Sequence, residues 1–336
     1  MFGLKEKLSG ERYSIGLDIG TSTIKIAKLK FLKDTVELAG FDLEPIEVDL
    51  TSQLKRIAPS QAINISLSGT STMIRYIEFP RMNEEELKQA LKFEAEKYIP
   101  FPIDEVNIDS YILKEDLSEN KMLLLVAAVK KEFINQRLKL IQEAGLKANI
   151  VDLDSLALIN AFNFNYPKDE EANIKDKAVA ILNIGASISN LNILENSHPV
   201  LSRDIYIAGN NLTSKIQETT GIDLKSLGEL KPDIDKEKLN GIILATERVI
   251  SDLAKELRVS FDFYESQSAS SVTRIFLSGG GSKLNGLKDT LANLSAIEVE
   301  YWDPLRKISI IDTINSQEVK AISSQLAVAV GLALRK

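Results

Sequence analysis

The chain has 336 residues, 44% hydrophobic and 26% charged, a globular balance large enough for two domains or one bilobal body. Its 41 basic and 48 acidic side chains leave a net charge of −7, which argues against a general nucleic-acid binder. Cysteine is absent and His198 is the one histidine, which excludes disulfides, thiolate or His-rich metal sites and a Ser-His-Asp triad built elsewhere.

The opening "MFGLKEKLSGERYS" has no long apolar core and reads as a frayed terminus. No stretch approaches the roughly eighteen apolar residues of a membrane span, so a cytoplasmic protein is expected. The first patterned segment, "IGLDIGTSTIKIAKL" at 15–29, predicts a strand, a tight turn at Gly20 and a second strand. Small residues in that turn (Gly20, Thr21, Ser22 and Thr23) let backbone N–H groups and hydroxyls face an anion. Lys25 can reach the same place from the second strand, and Asp18 can face bound phosphates through a hydrated Mg²⁺.

Next comes a small α/β block, roughly 83–150. Asn83 is placed to cap a helix whose first turn holds Glu84, Glu85 and Glu86, with Leu87, Ala90, Leu91 and Tyr98 as its apolar stripe. Pro100 and Pro102 stop it. Strands "EVNIDSYIL" and "KMLLLVAAV" follow, then a helix from about Lys131 to Gly145. "NIVDLDSLALINAF" predicts a strand ending at Asp152 or Asp154 and a helix running to Phe164. "NFNYPKDEEANIKDK" reads as a polar loop between lobes.

At 180–194 the first hairpin recurs as "AILNIGASISNLNIL". Leu17, Ile19, Gly20, Ser22 and Leu29 meet Leu182, Ile184, Gly185, Ser187 and Leu194, whereas Asp18 meets Asn183. A third strand follows the Asn196-Ser197 turn, with His198 as a surface turn residue. Two such hairpins predict a duplicated domain with a cleft between its halves. Residues 211–268 are mostly helical, with Val249, Leu253, Leu257 and Phe261 at helical spacing. "VTRIFLSGGGSKLNGLKDTLAN" predicts a strand over 272–278, a Gly279-Gly280-Gly281 turn and a helix opening near Ser282 to Leu284. Trp302 reads as a packing aromatic. The tail "SSQLAVAVGLALRK" reads as an apolar helix.

This order of two phosphate-type hairpins followed by strand, glycines and helix resembles the actin, Hsp70 and sugar-kinase superfamily. Within it, four stretches resemble the PilM family of type IV pilus assembly: "IEFPRMNEEELKQALKFEAEKYIPFPIDEVNIDSYIL", "VDLDSLALINAF", "LSRDIYIAGNNLTSKIQ" and "SFDFYESQSASSVTRIFLSGGG". The likeness runs from about residue 13 to the end, and the place of "YIPFP" favours PilM over its relative FtsA. It implies an α/β, duplicated, ribonuclease H-like fold with two lobes around a nucleotide cleft. Residues 11–82 would be the first lobe, 83–150 an inserted 1C-type subdomain, and 151–178 a first-lobe continuation and crossover. The second lobe would take 179–210 and 269–319 around a 2B-like helical part at 211–268, and residues 320–336 would return to the first lobe.

The resemblance implies ATP or ADP with Mg²⁺ as ligand. Asp18, Gly20, Thr21, Ser22, Thr23 and Lys25 would hold it from one lobe, and Asn183, Gly185, Ala186 and Ser187 from the other. Gly209, Asn210, Lys215, Gly279, Gly280, Gly281 and Lys283 would surround the nucleoside. In the superfamily the second hairpin's aspartate helps hold Mg²⁺ and orders the attacking water; Asn183 lacks that charge, so binding should survive better than turnover. The implied function is an ATP-binding scaffold with very weak ATPase at most, recruited to the inner face of the inner membrane. Its implied partner is the short N-terminal tail of a PilN-like protein, with PilO-, PilB- or PilC-like components and self-association as further partners. The tail would lie in a groove between the insertion and the edge carrying "RYIEFP", lined by Ile77, Phe79, Leu87 and Leu91. Two other readings stand beside it: an FtsA-like polymerising ATPase, and a small-molecule kinase with Asp152 or Asp154 as base.

Overall fold

The computed structural model describes residues 12–57, 62–167, 178–221, 236–284 and 286–335. The opening "MFGLKEKL" and most of the polar stretch between lobes lie outside them.

The chain opens with β1 (Arg12–Ile19), β2 (Thr23–Phe31), β3 (Val36–Pro45), α1 (Leu50–Ile57) and β4 (Ala62–Leu67). Then come β5 (Thr72–Pro80), α2 (Glu84–Glu94), β6 (Val106–Leu117) and β7 (Lys121–Lys130), followed by α3 (Lys131–Glu143), β8 (Lys147–Leu153) and α4 (Asp154–Asn165). The second half holds β9 (Ala178–Ile184), β10 (Ser189–Glu195), β11 (His198–Ile205), α5 (Gly209–Thr220), α6 (Lys236–Gln267) and β12 (Val272–Ser278). It continues with α7 (Leu287–Ser295), β13 (Glu298–Tyr301), β14 (Ile308–Ile310), α8 (Ser316–Ile322) and α9 (Ala327–Ala333).

Sheet order proves the duplication. One sheet runs β14-β3-β2-β1-β4-β8 and the other β11-β10-β9-β12-β13, so β3-β2-β1-β4-β8 maps strand for strand onto the second. In each, the hairpin strands are antiparallel and the next two strands join in parallel. Between Asn196 and Ser197, both at positive φ, the β10–β11 hairpin closes in the turn geometry that suits strand twist.

A third sheet, β5-β7-β6, forms the inserted unit. Its limits differ from the expected 83–150. β5 pairs with β7 along its whole length, so the unit begins at Thr72. α3 instead packs on the first lobe, where Ile141, Ala144 and Leu146 share a core with Ile15, Leu17 and Leu54. The helix cap is as expected: Glu86 N donates to Asn83 Oδ1 at 2.9 Å and Asn83 N to Glu86 Oε2 at 3.1 Å. The return to the first lobe also comes early, because β14 pairs with β3 before α9 begins.

The lobes meet on α4 and α9. Every residue of α9, "AVAVGLA", is buried, in a core that also takes Leu29 and Leu38 from one sheet and Ile181 and Phe276 from the other. Trp302 packs there against Phe162 and Tyr166, as expected for a packing aromatic. Two glycines permit the close approach. A Cβ on Gly16 would stand 1.9 Å from Ala329 O, and one on Gly331 1.9 Å from Ala157 O. Asn160 Nδ2 and Asn64 Nδ2 donate to the carbonyls of Gly331 and Leu332, both at 2.9 Å, which satisfies acceptors at the end of α9.

Candidate functional site

The two glycine turns are closed alike. Gly20 N donates to Thr23 O at 3.1 Å, and Gly185 N to Ile188 O at 3.0 Å. In the first turn Thr21 and Ser22 stay exposed at the sheet end. Asp18 lies opposite Lys25, and Lys25 Nζ reaches Asp18 Oδ2 at 3.0 Å with both side chains largely buried. A Cβ on Gly20 would come 2.8 Å from that ammonium, so the glycine makes room for Lys25. The second turn is stitched to the start of α5. Gly209 N donates to Gly185 O (3.0 Å), Asn210 N to Ala186 O (2.7 Å) and Asn210 Nδ2 to Ser187 Oγ (2.9 Å). These backbone N–H groups are therefore engaged with the turn itself. A cavity of about 670 Å³ opens beside it between α5 and α6, lined by Ser187, Asn210, Lys215 and Arg248 among others. Lys215 there pairs with Glu218 at 2.8 Å.

The two candidate bases separate. Asp152, on β8 and so two strands away from Asp18, is buried and bound to Arg335, whose Nε donates at 2.6 Å. A paired carboxylate there is a structural anchor for the tail, so the expectation of Asp152 as base is corrected. Asp154, the first residue of α4, faces the cleft. Desolvation first, then the nearby Asp18 carboxylate, push it up to about 6, against hydrogen bonds from Ser66 and Ser68. Arg137 of α3 also comes near; burial lowers its pKa while the charges of Asp154 and Asp18 oppose that. Sequence spacing gave Asp154 only as an alternative and missed Arg137, because nothing in helix α3's own pattern tells which turn meets the cleft.

The third glycine cluster is a packing joint. Gly279 has φ +88°, and a Cβ there would lie 2.3 Å from Ile184 O; one on Gly281 would lie 2.5 Å from Ile184 Cγ2. Gly280 faces the Gln325 side chain, not an open cleft. Lys283 Nζ donates to Ala321 O at 2.6 Å. The helix expected from Ser282 is a 3₁₀ turn over Gly280–Lys283, and α7 begins only at Leu287 after Gly286 at positive φ. The turn thus presses the end of β12 onto the end of β9.

In the inserted unit the expected groove residues are core. Ile77, Phe79, Leu87 and Leu91 are 7%, 4%, 4% and 5% exposed and pack together. The reason is register: Leu87 and Leu91 lie on one helix face, Ile77 and Phe79 on one strand face, and the two faces close on each other. They line no open groove. Open backbone lies elsewhere. β6 is an edge of the inserted sheet and β8 an edge of the first-lobe sheet. Arg335 binds Asp152 of β8 and also feels the charge of Asp109 on β6, so it stands near both edges. Tyr111 (70% exposed) and Val151 (38% exposed) stand on these edges.

Among the described residues no helix is long and apolar enough to cross a membrane, and no cluster of His, Asp or Glu is set to hold a metal alone.

The family model described as type IV pilus assembly protein PilM matches residues 16–336. A solved structure titled PilM-PilN type IV pilus biogenesis complex is similar, with TM-score 0.82 and 26% identity over 96% of this chain and 98% of that one. The ethanolamine utilization protein EutJ from Carboxydothermus hydrogenoformans shares the fold, with TM-score 0.52 and 13% identity over 97% of this chain and 90% of that one.

Proposed function

The chain belongs to the PilM family of type IV pilus assembly proteins, and from that premise we propose that it is a nucleotide-binding scaffold holding the N-terminal tail of a PilN-like inner-membrane protein. The observation that carries the nucleotide half is the pair of matched turns, Gly20–Thr23 and Gly185–Ile188, closed by the same hydrogen bond in both lobes. The residues fit the ligand. Exposed Thr21 and Ser22 offer hydroxyls and N–H groups, Lys25 offers a cation, and the cavity by Asn210 and Lys215 has room for a nucleoside. Asp18 is the carboxylate at these turns that would hold Mg²⁺ through water, and a bound Mg²⁺ would supply charge neutralisation for the phosphates. Lys25 then turns from Asp18 to phosphate, both being charge-assisted contacts. Asn183 brings no charge to the second turn, so hydrolysis is slow and the protein acts by binding. The tail is assigned to a seam beside Arg335 between the β6 and β8 edges, which among the described residues carry no further strand and so offer backbone pairing to an extended peptide. The similar solved PilM-PilN complex supports a PilN-like partner for this chain.

Calorimetry on nucleotide-stripped protein tests the first half: ATP with Mg²⁺ binds, and Lys25→Ala weakens it roughly tenfold by removing one charge-assisted contact. Absence of ATP binding with or without Mg²⁺ overturns it. For the tail, Val151→Glu and Tyr111→Glu abolish capture of a synthetic cognate tail peptide while the fold is kept. Wild-type capture by both moves the site off the seam.

A further inference from the structure

One row of polar side chains crosses the second sheet at a single level. Ser278 on β12 stands opposite Asn183 on β9, Asn183 opposite Asn190 on β10, and Asn190 opposite Asp204 on β11. Ser278 Oγ donates to Asn183 Oδ1 (3.1 Å), Asn183 Nδ2 to Asn190 Oδ1 (3.3 Å) and Asn190 Nδ2 to Asp204 Oδ1 (2.8 Å). The other oxygen of Asp204 leaves the sheet and accepts the backbone N–H of Gly69, in the first lobe, at 2.9 Å. Gly69 O in turn accepts from both Thr72 N and Thr72 Oγ1, at the first residue of the inserted sheet. Ser278, Asn183 and Asn190 are buried, so each polar atom must find its partner inside the row.

We infer that this row is a latch between the lobes, and that residue 183 is asparagine because the latch needs a donor there. The direction of every bond follows from its ends. Gly69 N–H can only donate, so it takes one oxygen of Asp204. An ionised Asp204 can only accept, so Asn190 must turn its NH₂ toward it and its carbonyl toward residue 183. Residue 183 must then donate, which an ionised aspartate cannot do. Asn183 is thus the link that joins the glycine turn two residues on to the loop entering the inserted unit. A second rung runs alongside. Ser202 Oγ donates to Asn192 Oδ1 at 2.6 Å, and Tyr76 of the inserted unit meets Ser202 Oγ at 2.8 Å.

Hydrogen exchange on the full-length protein tests it, read at the segment holding Gly69. Asn183→Asp sets a carboxylate against the Asn190 carbonyl, and exchange at Gly69 should rise roughly tenfold as the latch opens. Combining Asn183→Asp with Asp204→Asn keeps the net charge and reverses every amide. Residue 190 now donates to 183, residue 204 donates to 190, and its carbonyl still accepts from Gly69. Protection should return to within about twofold of wild type. Unchanged exchange in Asn183→Asp overturns the latch, and so does a double variant that stays open. If Asn183→Asp alone does not fold, the double variant decides: wild-type protection supports the latch, and failure to fold overturns it.

Discussion

The two hairpins share a backbone and put it to different uses. In the first, the pair across the strands is Asp18 and Lys25, two charges that meet at 3.0 Å and end there. In the second, the same two places hold Asn183 and Asn190, and their amides pass a hydrogen-bond direction on to Asp204 and out of the lobe. The loss of a carboxylate in the second copy, read alone, looks like decay. With its neighbours in view it is a change of role. The first hairpin keeps charge at the cleft, and the second gives its polar groups to holding the halves together.

The largest test of this division lies two residues back along each strand, on the same face as the exchanged pair. Gly16 in the first copy corresponds to Ile181 in the second. Gly16 lets α9 approach, since a Cβ would meet the backbone at Ala329 O and Ala333 N, while Ile181 fills the core between lobes. Gly16→Val should cost roughly 3–5 kcal/mol, because backbone cannot give way as a side chain does. Ile181→Ala should cost about 2–4 kcal/mol through its cavity. Urea denaturation measures both. A Gly16→Val protein with the wild-type midpoint would show that α9 is free to shift, and that the two sheets are held alike.

A smaller test removes one member of each cross-strand pair. Lys25→Ala strands Asp18, a carboxylate only 7% exposed, and should cost about 2–4 kcal/mol. Asn190→Ala leaves the Asn183 amide and one Asp204 oxygen without a partner, at about 1–3 kcal/mol. Thermal melts of the two, with the double variant Asp18→Asn/Lys25→Met regaining most of the first loss, would sharpen the contrast. Equal losses would mean that the first hairpin's charge is no more tightly held than the second's amides.

Much of this was legible before the structure. The repeat at 15–29 and 180–194 fixed both hairpins, because strand alternation and a small-residue turn are local signals. The same offset that matches Asp18 to Asn183 also matches Lys25 to Asn190, so the exchanged pair could be read from sequence once the first ion pair was sought. Asp204 and Gly69 could not. They meet across 135 positions, and no local pattern records which loop a β11 side chain faces. The inserted unit failed for a related reason. Leu87 and Leu91 have the spacing of an apolar stripe, and a stripe does not say whether a sheet or a peptide covers it. "LSGGGS" named a glycine turn correctly, yet only the carbonyl of Ile184 reveals that the glycines serve close packing.

The smallest effect concerns what the two hairpins do to Asp154 between them. Its carboxyl is raised from the ordinary range to about 6, by desolvation first and by Asp18 second, and Asp204 adds less. The second hairpin's own position 183 is neutral and adds no charge. A carboxyl held above its unfolded value binds its proton more tightly when folded. Its stabilising contribution is full below the unfolded pKa near 3.8 and is lost as pH rises through about 6. Folding stability should therefore fall by about 1–2 kcal/mol between pH 4 and pH 7 from this group, after allowance for its partial exposure. Asp154→Asn should flatten that part of the curve. Asp18→Asn should lower the Asp154 midpoint, and Asp204→Asn should lower it less, in the order of their influence on the carboxyl. Denaturation midpoints from pH 4 to pH 8 for the three variants, with NMR titration of the Asp154 carboxyl carbon, measure both. A midpoint that follows Asp204 more than Asp18 would place the dominant charge with the second lobe, and the division between a charged and a neutral hairpin would fail at the cleft itself.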